Sequence, residues 1–333
     1  MNRTSLFQFL LLGTIWGASY TFIKVSLDGL TPAQLVLARI VLGLVVLLGF
    51  LAVRRIRMPK LGAVWAHVTV AAVFGMVAPF LLLAFGERHT SAAMAGVLIA
   101  ALPLVTLAAA TTFLPTERAT SRKLAGFLGG FAGVVLIMAP WESEGGTLGG
   151  QLAVLGAACS YAAQTVYIRK FIVPYKLAPV ALAASQLVMA TILQAAVTPT
   201  MAWETPNLTW QVLSSIVVLG VFGTGLAYVL YFRLITDLGA TTASAVNYLV
   251  PVVGMVVSTS LLGESLTWNM IVGVVVVMVG LAVAENRFGA RRTETPAAAQ
   301  PAQSPAGSAP ASTAPTGAAQ PATTPKDAAA TDD

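Results

Sequence analysis

A chain of 333 residues that is 57% hydrophobic and only 10% charged has too little polar material to coat a soluble globule of its size. Its net charge of +6 does not indicate nucleic acid, because the basic residues fall in small groups between long apolar runs and form no single patch. The single cysteine, Cys159, lies inside an apolar run, which excludes a disulfide framework or a cysteine metal site within one chain.

A helix needs roughly 20 mostly apolar residues to cross the hydrocarbon core of a bilayer. Ten such runs begin near residues 5, 32, 62, 90, 122, 148, 178, 209, 239 and 268. Backbone amides cannot be left unpaired in lipid, and the runs are too long for barrel strands, so the predicted fold is an all-α integral membrane bundle of ten transmembrane helices. The first run, from about Ser5 to Ile23, is followed by no small-residue cleavage site and reads as a retained helix. It carries Trp16, Ser19 and Tyr20, amphipathic residues able to line a cavity.

The second run opens at Pro32 and holds Arg39, a charge about seven residues, or roughly 10 Å, inside the span. A charge at that depth costs roughly 2.5 to 3.5 kcal/mol, so it should face the bundle interior and be offset by a substrate carboxylate or phosphate, or by a structural partner. His67 in the third run and His89 after it are too separated to argue a metal pair, and no metal is assigned. Pro103 in the fourth run removes a backbone hydrogen bond and frees the carbonyl of Ile99. Glu117 follows at the helix end, where capping or ion pairing is its expected work. The fifth run sets Gly126 against Gly130 and Gly129 against Gly133, small residues four apart that permit close helix approach or, alternatively, a homodimer face.

The sixth run carries Tyr161 and Gln164, the seventh Gln186 at the position equivalent to Arg39, and the eighth Tyr228 and Tyr231. In the ninth, Pro251 frees the carbonyl of Asn247, and Glu264 follows at the helix end as Glu117 does. Prolines interrupting equivalent spans point to a transport site, although bending for packing explains them as well. No span has a carboxylate near its centre: Asp28, Glu87, Glu142, Glu144 and Glu204 are assigned to loops or helix ends, so proton exchange through a buried acid is not supported. The glycine pairs around residue 146 lack the lysine and serine or threonine of a phosphate loop, and no cluster of acid, base or metal ligands suggests an enzyme or a cofactor. From about Arg291 the composition shifts to Ala, Pro, Ser, Thr, Gln and Gly, so residues 291–333 read as a disordered tail.

Cytoplasmic loops retain lysine and arginine. With the N-terminus cytoplasmic, 16 of the 19 basic residues fall on that side, leaving Lys24 and Arg88 opposite and Arg39 inside a span. Both termini are therefore expected in the cytoplasm. Sliding the chain along itself by 147 residues places Leu30 and Pro32 on Leu177 and Pro179, and Leu114, Glu117, Gly126 and Gly133 on Leu261, Glu264, Gly273 and Gly280. With small gaps, Val73, Phe74 and Gly75 match Val221, Phe222 and Gly223. Residues 1–146 and 147–290 thus read as two copies of a five-helix unit. An odd number of helices makes the copies inverted, an arrangement suited to alternating access around a midplane site; some channels share it.

Trp16-Gly17-Ala18-Ser19 with Lys24, Pro32 with Arg39, Pro103 before Leu114 and Glu117, and Pro251 before Leu262-Gly263-Glu264 resemble the drug/metabolite transporter superfamily, EamA type. The resemblance covers about residues 5–285, with Pro115-Thr116 departing from the usual Leu-Gly-like pair before Glu117. It implies a ten-helix transporter, in many members an exporter of amino acids or related metabolites, in the plasma membrane of a bacterial cell. The related small multidrug resistance proteins use an acid in the first helix. This chain offers Trp16, Ser19 and Tyr20 there, which favours neutral, zwitterionic or anionic solutes. A passive channel and a multidrug efflux protein are the competing readings.

Overall fold

The computed structural model describes residues 3–114, 120–139, 146–201, 204–239, 243 and 245–284. The predicted tail, Glu117 and the acids Glu142 and Glu144 lie outside the described residues. Ten helical segments account for the spans: α1 (Arg3–Ser26), α2 (Pro32–Arg54), α3 (Ala63–His89), α4 (Ala92–Phe113) and α5 (Ser121–Met138), then α6 (Leu148–Tyr167), α7 (Pro179–Thr200), α8 (Trp210–Leu238), α9 (Val246–Leu262) and α10 (Trp268–Ala284). Seven are at least 18 residues long and apolar enough to cross a membrane, while α9 and α10 are shorter apolar helices. The sixth, α6, is 20 residues and richer in polar groups such as Gln151 and Gln164. Large apolar side chains remain on the outside of the bundle, among them Val45, Leu124, Phe131 and Val256, as a lipid-facing surface requires.

Helix starts follow local chemistry. Thr31 caps α2 through a capping box with Gln34, with Pro32 in the first turn where its missing N–H costs nothing. Thr120, Thr147 and Thr209 likewise accept from the backbones of Lys123, Gly150 and Val212 at the starts of α5, α6 and α8. The ninth helix, expected from near residue 239, is described from Val246 onward.

The packing has the two-fold pattern that inverted copies impose. α5 packs on α10, α2 on α7 and α4 on α9, each helix against its own repeat mate. The remaining major contacts come in mated pairs: α1 on α9 with α6 on α4, α2 on α8 with α7 on α3, and α3 on α6 with α8 on α1. The glycines show the symmetry at atomic scale. A Cβ added at Gly126 would strike the Gly280 carbonyl, and one at Gly133 would meet Val277 N and the Gly273 carbonyl. Since Gly126 and Gly133 correspond to Gly273 and Gly280, the contact is reciprocal, as across a two-fold axis. The architecture is ten transmembrane helices arranged as two inverted five-helix repeats.

Two departures from regular helix recur at matched places. Val73–Val77 in α3 and Val218–Leu226 in α8 are π-helical, and each contains one of the matched glycines, Gly75 and Gly223. Such wide turns redirect side chains and gather at functional sites. Gly75 leaves room for the Gln164 side chain, and Gly223 faces Ser19 Oγ.

Candidate functional site

The π segments border a cavity of about 280 Å³. Residues from both repeats line it: Trp16, Ser19, Tyr20 and Ile23 of α1, Arg39 of α2, Phe80 and Leu83 of α3, and Ile99 and Leu102 of α4, facing Tyr161, Gln164 and Thr165 of α6, Gly223, Tyr228 and Tyr231 of α8, and Asn247 and Val250 of α9. The first-repeat residues lie in the helix halves nearest Lys24 and Glu87, and most of the second-repeat residues in the halves nearest the opposite end, so the cavity sits at mid-depth of the bundle. Nine residues singled out from the sequence converge there: Trp16, Ser19, Tyr20, Arg39, Tyr161, Gln164, Tyr228, Tyr231 and Asn247.

Arg39 is 7% exposed. Its Nε donates to Thr224 Oγ1 at 3.0 Å, and its guanidinium lies over the Phe80 ring, 4.0 Å from the centroid. Thr224 in turn donates to the Leu219 carbonyl within the π segment of α8 at 3.1 Å, which fixes the hydroxyl that receives Arg39. Among the described residues no carboxylate lies within ion-pair distance of the guanidinium, so its remaining N–H groups are available to a ligand. The hydroxyls of Tyr20, Tyr161 and Tyr231 and the amide of Asn247 also have no hydrogen-bond partner among the described residues. Other polar groups are already engaged: Ser19 Oγ donates to the Ile15 carbonyl at 2.8 Å, and Tyr228 OH approaches Met76 Sδ at 3.5 Å. Trp16 and Tyr231 pack ring against ring at 5.3 Å.

The remaining candidates stand behind this lining. Gln186 does not reach the cavity, but its Oε1 accepts from Gln164 Nε2 at 2.6 Å and so orients a lining residue. Pro103 and Pro251 lie beside the lining residues Leu102 and Val250. α4 narrows to a 3₁₀ turn at Ile99–Ala101 just ahead of Pro103, presenting Ile99 and Leu102 to the cavity. Glu264 accepts from the backbone N–H groups of Ala92 and Ala93 at 2.9 and 2.8 Å, and with Ser91 it caps α4 from the far repeat. His67 bonds Tyr167 OH at 2.8 Å, well away from His89.

Sequence reasoning missed Phe80, Thr165 and Thr224, because nothing in one sequence separates a cavity-facing aromatic or threonine from a lipid-facing one; the matched Gly75 and Gly223 were the available signal. Glu87 does lie at a helix end, in the last turn of α3, yet it is 0% exposed, and both its carboxyl oxygens are buried without a hydrogen-bond partner among the described residues. The α3–α4 connection, with Lys24 and Glu264 folded against it, covers the position that helix-end logic left in water.

Comparison with known proteins follows the same line. The EamA-like transporter family matches twice, over residues 3–139 and 148–285. An uncharacterized transporter of Archaeoglobus fulgidus is 27% identical over 273 residues, covering 80% of this chain and 94% of its own. A Salmonella typhimurium protein named a probable amino-acid metabolite efflux pump is 28% identical over 310 residues, covering 88% and 98%. An uncharacterized inner membrane transporter of Escherichia coli is 23% identical over 255 residues, covering 76% and 81%. A solved crystal structure shares the fold with a TM-score of 0.62 at 19% identity, covering 87% of this chain and all of its own. With both halves of the bundle matched and a polar cavity between them, this chain is a membrane transporter that belongs to the EamA-like transporter family.

Proposed function

We propose that the protein is a secondary transporter that exports small polar metabolites, amino acids and related compounds, by alternating access. The observation that carries this reading is the buried Arg39 fork, free of any described carboxylate and set at mid-depth beside Tyr20, Tyr161 and Tyr231, whose hydroxyls have no partner among the described residues. A guanidinium so placed suits a solute carboxylate, and Asn247 with the tyrosines suits the remaining polar groups of a zwitterion. Inverted repeats supply the means, since exchanging the conformations of two equivalent halves turns a midplane cavity from one face to the other. The name of the Salmonella relative supports the solute class. The protein lies in the plasma membrane with both termini cytoplasmic, as the distribution of lysine and arginine between its loops favours.

The test is radiolabelled amino-acid counterflow with the purified chain in proteoliposomes, after a growth-toxicity screen of overexpressing cells has chosen the solute. Saturable counterflow that competes with other amino acids and not with lipophilic cations is expected. Flux that rises linearly with concentration identifies a channel, and competition by lipophilic cations identifies a multidrug pump.

A further inference from the structure

Glu87 sits in the last turn of α3, four residues beyond Leu83, which with Ile23 forms the buried end of the cavity. Four residues on a helix are about one turn and about 6 Å, so the carboxyl lies just behind that closed end. A charged carboxylate buried without a partner is among the costliest arrangements a protein can hold, and acids placed this way in membrane spans mark proton or ion pathways.

Its surroundings do not relieve it. α1 brings Lys24 and Tyr20, α2 brings Arg39, and the turn after α9 brings Glu264. Lys24 Nζ donates to the backbone carbonyls of Glu87 and Thr90 at 2.5 and 2.8 Å, not to the carboxyl group. Glu264 is held by the α4 amides. α6 presents Gly150 and Val154 against the adjacent Gly86, neither of them ionisable. On the same helix end, Arg88 lies 4.0 Å from Glu204 and His89 bonds the Phe85 carbonyl at 2.8 Å. Each of these neighbours is engaged elsewhere or is not a donor to the carboxyl oxygens.

We propose that Glu87 is the proton-binding site that couples solute movement to a pH gradient. With the Lys24–Glu264 end open, a hydronium ion in the water there gives up a proton, breaking its O–H bond and leaving water, and a carboxylate oxygen of Glu87 forms the new O–H bond; the neutral carboxyl then allows that end to close as seen here. Release breaks the same O–H bond and passes the proton, past Tyr20, to water in the cavity. Nothing is oxidised or reduced. Arg39 lies within reach of the same field, so a solute carboxylate settling on Arg39 alters the electrostatic environment of Glu87 and links the two events. This inference rests on the transporter reading and adds its driving ion.

The experiment uses the full chain in proteoliposomes and the radiolabelled L-amino acid that gives the strongest counterflow. In the wild type an imposed gradient of one pH unit should concentrate the solute by up to about tenfold at one proton per solute. In Glu87→Gln that accumulation is lost while counterflow, which needs no gradient, stays measurable; Glu87→Asp keeps part of both. Wild-type counterflow with no accumulation under the imposed pH gradient overturns the coupling and leaves the transporter standing, as does a Glu87→Gln protein that still concentrates solute. No counterflow with any amino acid removes the amino-acid transporter reading and this inference with it. Should Glu87→Gln fail to fold, infrared spectra of the wild type and Glu87→Asp across a pH titration decide: a protonated-carboxyl C=O band that shifts in the aspartate variant supports the site, and its absence from the wild type refutes it.

Discussion

Arg39 owes its position to the turn that starts α2 and its environment to the opposite repeat. Thr31 and Pro32 set the helix start, and two turns later the side chain emerges where Phe80 and Thr224 receive it. A hydrogen bond to a charged group contributes roughly 1.5 to 3 kcal/mol, so Arg39→Gln should raise the solute concentration for half-maximal counterflow by about ten- to a hundredfold, roughly 1.4 kcal/mol per factor of ten. Arg39→Lys should fall between, since an ammonium keeps the charge and loses the planar fork. Phe80→Ala should weaken binding by about three- to thirtyfold through loss of the ring beneath the guanidinium, with Phe80→Tyr close to wild type. Half-saturation measured in proteoliposomes checks all three. At this scale the sequence made Arg39 legible, because a charge inside an apolar run is conspicuous. Phe80 and Thr224 were illegible, because their roles depend on which way one face of each helix points.

At the scale of elements, α5 provides an internal comparison. Gly126 lies against the Gly280 carbonyl, while Gly129, three residues on, has nothing within 4 Å of where a Cβ would stand. Gly126→Ala should destabilise the bundle by about 1 to 3 kcal/mol through overpacking against backbone, whereas Gly129→Ala should be neutral or stabilising by up to about 1 kcal/mol from helix propensity. Thermal unfolding in detergent, read against the wild type, separates them; equal shifts would contradict the α5–α10 contact. Glu264→Ala should cost about 1 kcal/mol by uncapping α4, and Glu264→Gln less. The helices themselves were readable from apolar runs and from caps such as Thr31 and Thr209. Their π segments were not, because a widened turn reflects contacts such as Gly75 with Gln164 across repeats and not the local residues alone.

The molecule as a whole makes a prediction about sidedness. Single cysteines replacing Arg57 and Lys170, in a Cys159→Ser background that removes the exposed native thiol, should both resist an impermeant maleimide applied from outside intact cells, while one replacing Asp28 should react. Labelling of Arg57 and Lys170 positions from opposite faces would break the inverted arrangement. What the sequence determined by itself was the set of spans, their doubling and the sidedness the basic residues favour, because hydropathy over about 20 residues and the placement of lysine and arginine are local quantities. Only the tertiary structure decided which side chains share the cavity, what holds Arg39 and that Glu87 is buried. Those contacts join residues far apart in the chain, 185 positions in the case of Arg39 and Thr224, and no local pattern encodes the face on which two distant helices meet.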